Sequence, residues 1–118
     1  MLQRVLVVDD DPGVRRTVAA LLRSLGCLTG EAESAAEAVP MLSWYDGVVT
    51  DGLGGAYIDV VMSAELVGLP VVVYTASDGI AADARRSDIA VVTKPARVER
   101  LLDVLRAQRG EAVRLCRA

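Results

Sequence analysis

The chain contains no histidine and no phenylalanine. Without histidine there is no Ser-His-Asp or Cys-His catalytic centre and no His-ligated metal site. Cysteine is scarce: Cys27 and Cys116 lie far apart and form no C-x-x-C pair. They read as reduced thiols rather than a disulfide. Aromatics are 3% of the residues, so Trp44 and Tyr45 are expected to pack at a helix end and not to form a stacking platform. No stretch approaches the roughly 18 apolar residues of a membrane span, and "MLQRVLVVDDD" lacks the apolar core of a signal peptide. A cytoplasmic location is the expectation. The net charge is only −3, from 13 basic and 16 acidic side chains, so there is no general field to attract nucleic acid.

What the chain has is the composition of one globular domain: 118 residues, 53% apolar and 25% charged. "VLVV" at 5–8 is a short, β-branched apolar run, as in a strand covered on both faces. Asp11 can cap the helix that follows, with Pro12 in its first turn. Val14, Val18, Leu21, Leu22 and Leu25 recur at helical spacing, Arg15, Arg16 and Arg23 take the outer face, and Gly26 suits the stop. A weaker strand fits 27–33. "SAAE" at 34–37 reads as a capping box before a helix over 35–43, kinked or ended early by Pro40. Strands follow at 46–51, 70–77 and 89–96, the last two spans including their exits. Helices are expected over about 57–67 and 78–87. A final helix starts near Arg97, with Val98, Leu101, Leu102 and Leu105 as its apolar stripe. Residues 110–118 are its continuation or a tail after a domain spanning 1–109. Five β–α units in order imply an α/β, doubly wound, five-stranded parallel sheet with helices on both faces. Ligands of such sheets bind beyond the carboxyl ends of the strands.

Those ends carry an unusual set of groups. Strand one ends in Asp9, Asp10 and Asp11, strand three in Asp51, strand four in Thr75 and strand five in Lys94. Two carboxylates about 4 Å apart repel by ~4 kcal/mol at an effective dielectric of 20. Lys94 supplies one positive charge. A hard divalent cation would supply two, and magnesium uses one or two carboxylates while leaving room for a phosphate oxygen. The set suits phosphoryl chemistry around a carboxylate nucleophile. Singly, each residue has a plainer role. Asp11 is a helix cap, Asp9 and Asp10 are solvated loop charges, Asp51 before Gly52 is a turn residue, Thr75 is a strand residue and Lys94 is a surface lysine. Arg85 and Arg86 read as a solvated helix face. The joint placement at four strand ends carries the functional reading.

With "VLVVDDDP", Asp51 after "GVVT", Thr75 in "VVVYTA" and Lys94-Pro95 in "VVTKPA", the sequence resembles the receiver domain of two-component response regulators over nearly its whole length. The resemblance implies sheet order 2-1-3-4-5 and a phosphoacceptor, Asp51, that takes a phosphoryl group from the phosphohistidine of a sensor histidine kinase or phosphotransfer protein. It implies Mg²⁺ bound by Asp10 and Asp51, by Asp9 through water and by the Leu53 carbonyl. It further implies Lys94 on a phosphate oxygen, Thr75 as a hydrogen-bonding switch, a cis Lys94–Pro95 peptide, and signalling through a protein target. The only catalysis implied is of its own phosphorylation and dephosphorylation.

The sequence also departs from that family. The segments from Asp51 to Thr75 and from Thr75 to Lys94 are short, which trims the third loop and helix and the fourth helix. Val91 stands where the family has an aromatic switch residue. Leu53 and Ser77 occupy positions that tune hydrolysis, and Leu53 has no side chain to orient a water, so slow self-dephosphorylation is expected. Homodimers in this family form through the fourth helix, fifth strand and fifth helix, where Val91 and the trimmed helix lie, so no dimer is assigned. Too few residues follow the last helix for an output domain, leaving a stand-alone receiver or a piece of a longer regulator. Two other readings of the same residues are a receiver that docks partners without phosphorylation and a phosphatase of the haloacid dehalogenase type. The phosphatase would use Asp9 as nucleophile and Asp11 as acid/base, but only Glu99, Asp103 and Glu111 follow the lysine as further acidic ligands. A flavin-binding protein is disfavoured by three carboxylates where a phosphate loop would be.

Overall fold

The structure, a computed structural model, describes residues 3–117, with side chains as far as residue 109. Cys116 and the side chains of the expected tail, 110–118, lie outside the described residues. Strands β1 (Arg4–Val8), β2 (Leu28–Ala32), β3 (Gly47–Thr50), β4 (Val71–Thr75) and β5 (Val91–Thr93) alternate with helices α1 (Pro12–Ser24), α2 (Ala35–Ala38), α3 (Tyr57–Leu66), α4 (Asp78–Arg86) and α5 (Val98–Arg117). The sheet is parallel, in order β2-β1-β3-β4-β5.

The continuous apolar strands explain the layering. Successive side chains alternate across the sheet. Val5 and Val7 therefore join α1 and α5 through Val18, Leu22, Leu101 and Leu105, while Leu6 and Val8 join α2, α3 and α4 through Ala38, Val60, Val61 and Ala84. Each fully buried Leu or Val contributes about 1.5–3 kcal/mol of transfer free energy. At the edge of β4 that the short β5 leaves uncovered, Gln108 of α5 stands in for a strand. Its amide donates to the Val71 carbonyl at 2.8 Å and accepts from the Val71 N–H at 2.9 Å.

Caps follow the local sequence. Asp11 accepts from the N–H groups of Gly13 and Val14, and Ser34 accepts from that of Glu37. Helix α2 stops at Ala38 and continues as a 3-10 turn over Val39–Trp44. Pro40, which has no N–H for an α-helical bond, lies at the start of that turn.

Three expectations are corrected. Leu21 (48% exposed) and Leu25 (43% exposed) are not core. The buried stripe of α1 is Val18, Ala19 and Leu22, and the two leucines lie beside it. Trp44 is 64% exposed. Tyr45 packs instead, its hydroxyl lying where a side chain on Gly30 would be, so any larger residue at that point of β2 would displace the Tyr45 ring. Arg15 does not face solvent: it pairs with Glu31 at 3.1 Å and donates to the Asp9 carbonyl at 2.9 Å.

Candidate functional site

The sheet ladder fixes where the polar residues stand. Val8 is in register with Thr50, so Asp9 and Asp51 are each the next residue at the same level. Main-chain bonds extend the ladder past the strand ends. The Asp9 N–H donates to the Ala32 carbonyl at 3.1 Å, the Asp51 N–H to the Val8 carbonyl at 2.7 Å, and the Lys94 N–H to the Thr75 carbonyl at 2.8 Å. Thr50 pairs with Val73, which puts Thr75 level with Gly52. A Cβ on Gly52 would lie 3.3 Å from Thr75 Oγ1 and 2.6 Å from Ile80 Cδ1. Gly52 therefore lets the chain after Asp51 pass close to the threonine and α4.

The three consecutive aspartates divide their work. Asp11 caps α1 and is exposed. Asp10 is exposed, whereas Asp9 is buried. Carboxylate oxygens of Asp9, Asp10 and Asp51 lie within 4.8 Å of one another. Lys94 Nζ donates to Asp9 Oδ2 at 3.0 Å and to Asp51 Oδ1 at 2.8 Å. The other Asp9 oxygen accepts from the Asp11 N–H at 2.9 Å, and the other Asp51 oxygen from the Leu53 N–H at 2.9 Å. Leu53 reaches that position with φ +52°, in the left-handed region, and Gly54 and Gly55 continue there. For a leucine this conformation costs about 1–2 kcal/mol, offset locally by the bond to Asp51 and by packing of the side chain on the core.

One ammonium among three carboxylates leaves a net charge of −2. At the separations present, each unscreened carboxylate pair costs about 3.5 kcal/mol at an effective dielectric of 20. Burial raises the Asp9 carboxyl above the usual aspartate range. The charge of Asp51 adds to the rise, against the opposing pull of the Asp11 N–H and Lys94. Burial alone would depress the Lys94 ammonium, but its bonds to Asp51 and Asp9 outweigh that and hold it above the usual lysine range.

Thr75 is buried, and its hydroxyl accepts from the Ser77 N–H at 3.0 Å. Val91 is half-buried against the α3–α4 core, and the Lys94–Pro95 peptide is cis. Among the sequence-predicted residues, Asp9, Asp10, Asp51 and Lys94 are thus brought into one cluster with Thr75 at its rim. Asp11 is turned to the helix cap, and Val91 packs on the core.

Two neighbours were not legible as site residues. Arg15 holds the Asp9 carbonyl from behind. Tyr74, which reads as another core residue of β4, lies under the lysine, with Lys94 Nζ 5.4 Å from its ring centroid. Its hydroxyl donates to the Ala96 carbonyl at 3.2 Å and accepts from the Ala96 N–H at 3.0 Å. Tyr74 therefore clamps the turn that carries Lys94. One signal was available in the sequence: Lys94 is the only lysine in the chain, every other basic residue being arginine.

Two predictions follow from this geometry. Tyr74→Phe strips the Ala96 N–H and C=O of their partner and should cost about 1–2 kcal/mol in urea unfolding; an unchanged midpoint would remove the clamp. For pH, the folded-state pKa of Asp9 is raised, so its stabilising contribution is present below the unfolded value and is lost as pH rises through the folded value. In metal-free buffer, the stability of the native chain minus that of Asp9→Asn should therefore fall as pH rises above the ordinary aspartate pKa of about 4. A difference independent of pH would contradict the burial argument. Lys94 has the same sign in alkali, its contribution being lost only above the usual lysine range.

No protein-family model matches the sequence, and no curated protein matches it. Solved structures do. A response regulator receiver domain protein from Clostridium thermocellum superposes with TM-score 0.79 at 20% identity, over 97% of this chain and 99% of that one. A CheY-like receiver domain protein from Methanospirillum hungatei gives 0.75 at 21%, over 94% and 99%. A response regulator from Burkholderia pseudomallei, whose structure holds a phosphorylated aspartic acid, a calcium ion and citrate, gives 0.72 at 25%, over 95% of this chain and 74% of that one. These identities speak for architecture. In strand order, layering and extent, the chain has the fold of the CheY-like response regulator receiver domains.

Proposed function

We propose that residues 1–109 are a phosphoacceptor receiver of a two-component phosphorelay, with Asp51 as the acceptor. The observation that carries this is the single ammonium of Lys94 joining Asp9 and Asp51 across β1, β3 and β5. It leaves two negative charges uncompensated beside an accessible carboxylate. The donor set is all oxygen and strongly anionic, which fits Mg²⁺. Asp10 and Asp51 would hold the ion directly, Asp9 through water and Leu53 through its carbonyl. When bound, Mg²⁺ supplies positive charge to the phosphoryl oxygens. The chain's own residues do the rest. An Asp51 oxygen attacks phosphorus, forming the P–O bond as the P–N bond of the donor phosphohistidine breaks and its electron pair leaves on the imidazole. Lys94 pairs with a phosphoryl oxygen. Thr75 turns its hydroxyl from the Ser77 N–H toward another.

The partners on this reading are a sensor histidine kinase or phosphotransfer protein and a downstream protein, in the cytoplasm, and the chain is not an enzyme in the ordinary sense. Among the described residues no helix is long and apolar enough to cross a membrane. Val91 offers no ring to follow Thr75 inward, so the output differs from the family's Thr–aromatic coupling. Val91 and the short β5 favour one second reading, a receiver that docks partners without being phosphorylated.

Intact mass after incubation with Mg²⁺ and acetyl phosphate separates the two. A phosphate-sized gain that requires Mg²⁺ and vanishes in Asp51→Asn is expected, decaying over minutes to hours because Leu53 has no polar group to orient a water. No gain on folded protein, with either acetyl phosphate or a phosphorylated kinase domain, would favour the docking module.

A further inference from the structure

Helix α3 is apolar almost all round. Tyr57, Val60, Val61 and Ala64 face the core, yet the outward residues Ile58, Met62, Leu66 and Val67 are 45%, 60%, 87% and 60% exposed. A surface helix of an isolated domain normally presents a polar outer face. Beside this row runs a groove of about 560 Å³ between α3 and the α2 segment, lined by Ala36, Val39, Pro40, Asp59, Met62 and Leu66. The small residues give it a shallow floor. Ile58, Met62 and Leu66 form an i, i+4, i+8 ridge along two turns, and contiguous apolar exposure of this kind marks an interaction surface.

Charge identifies the occupant. No Lys or Arg occurs between Ser24 and Ala84. All 13 basic residues lie outside that span, while Glu33, Glu37, Asp59 and Glu65 fall on or beside α2 and α3. An apolar groove with Asp59 in its wall, on elements whose charged residues are all acidic, repels an anionic membrane and disfavours α3 packing on α3 of a second copy. It is complementary to a helix with apolar residues on one face and Lys or Arg on its flanks. The chain's own α1 offers only Leu21, with Leu25 just past its end, as exposed large apolar residues, too short to cover the ridge. We propose that the α2–α3 face docks a cationic amphipathic helix of a partner protein. This surface is separate from the strand-end carboxylates, so it stands or falls independently of phosphorylation.

The test uses the full chain, with Asp51→Asn in parallel, and a labelled 18-residue peptide with Leu at helical i, i+3, i+4, i+7 spacing and Lys elsewhere. Its controls are a scrambled peptide and one with Glu in place of Lys. Fluorescence anisotropy should give binding by the Lys peptide alone, weakened about tenfold by Met62→Ser with Leu66→Ser. Asp59→Lys with Glu65→Lys should weaken binding and flatten its salt dependence. These side chains are exposed, so circular dichroism should report native folding. Equal binding of the scrambled peptide, or affinity unchanged in the Met62/Leu66 variant, would overturn the proposal. So would concentration-dependent sedimentation of the native chain that Leu66→Ser abolishes, since the occupant would then be a second copy.

Discussion

The Lys94 ammonium, shared between Asp9 and Asp51, is the contact on which the site depends. It ties the ends of three strands to one point and lets a buried carboxylate exist there. It does not neutralise the cluster. One cation against three carboxylates is a deficit that the fold tolerates only because Asp10 and part of Asp51 reach solvent, and because main-chain N–H groups from Asp11 and Leu53 occupy the remaining oxygens. A cluster with such a deficit has the all-oxygen, anionic donor set that a hard divalent cation takes.

Parallel register supplies the positional accuracy. Asp9, Asp51 and Lys94 are each the first residue beyond a strand, and each is still held by a main-chain bond to the neighbouring strand. Their side chains therefore start from rigid elements rather than mobile loops. Around them the supports are less regular. Arg15 reaches over from α1, Tyr74 clamps the turn after β5, and Leu53 sits in a left-handed conformation to aim one N–H. The outer face of α2 and α3, which cover one face of the sheet, is built on other terms, apolar and acidic.

Much of this was legible in the sequence because the strands are continuous apolar runs that stop abruptly at polar residues. "VLVVDDD", "GVVTD" and "VVTK" mark both the strand and the residue beyond it, and five such units fix a parallel sheet. Local chemistry also read through: Asp11 and Ser34 cap their helices, and the α2 helix stops short of Pro40. The misses share a cause. Arg15, Leu21 and Leu25 were assigned by helical spacing, which gives a face to within one residue width but not the neighbour across it. Glu31 on β2 draws Arg15 inward, and the stripe through Ala19 leaves the two leucines outside. Trp44 and Tyr45 are adjacent in sequence, and only the gap over Gly30 decides which ring is packed. Tyr74 and Gln108 act through main-chain atoms of Ala96 and Val71, and no side-chain pattern records such partners.

The most direct test of the central claim is the stability gained from Mg²⁺ at neutral pH, measured by urea unfolding of the native chain and of Asp10→Asn. Asp10 is exposed and caps nothing, so its loss should leave the metal-free fold intact. Saturating Mg²⁺, at about a hundred times its dissociation constant, should stabilise the native chain by ~2.7 kcal/mol and Asp10→Asn by much less. Equal stability with and without Mg²⁺ would contradict the account, as would the same gain in both chains. The strand-end carboxylates would then be a charged surface and not a metal-dependent site.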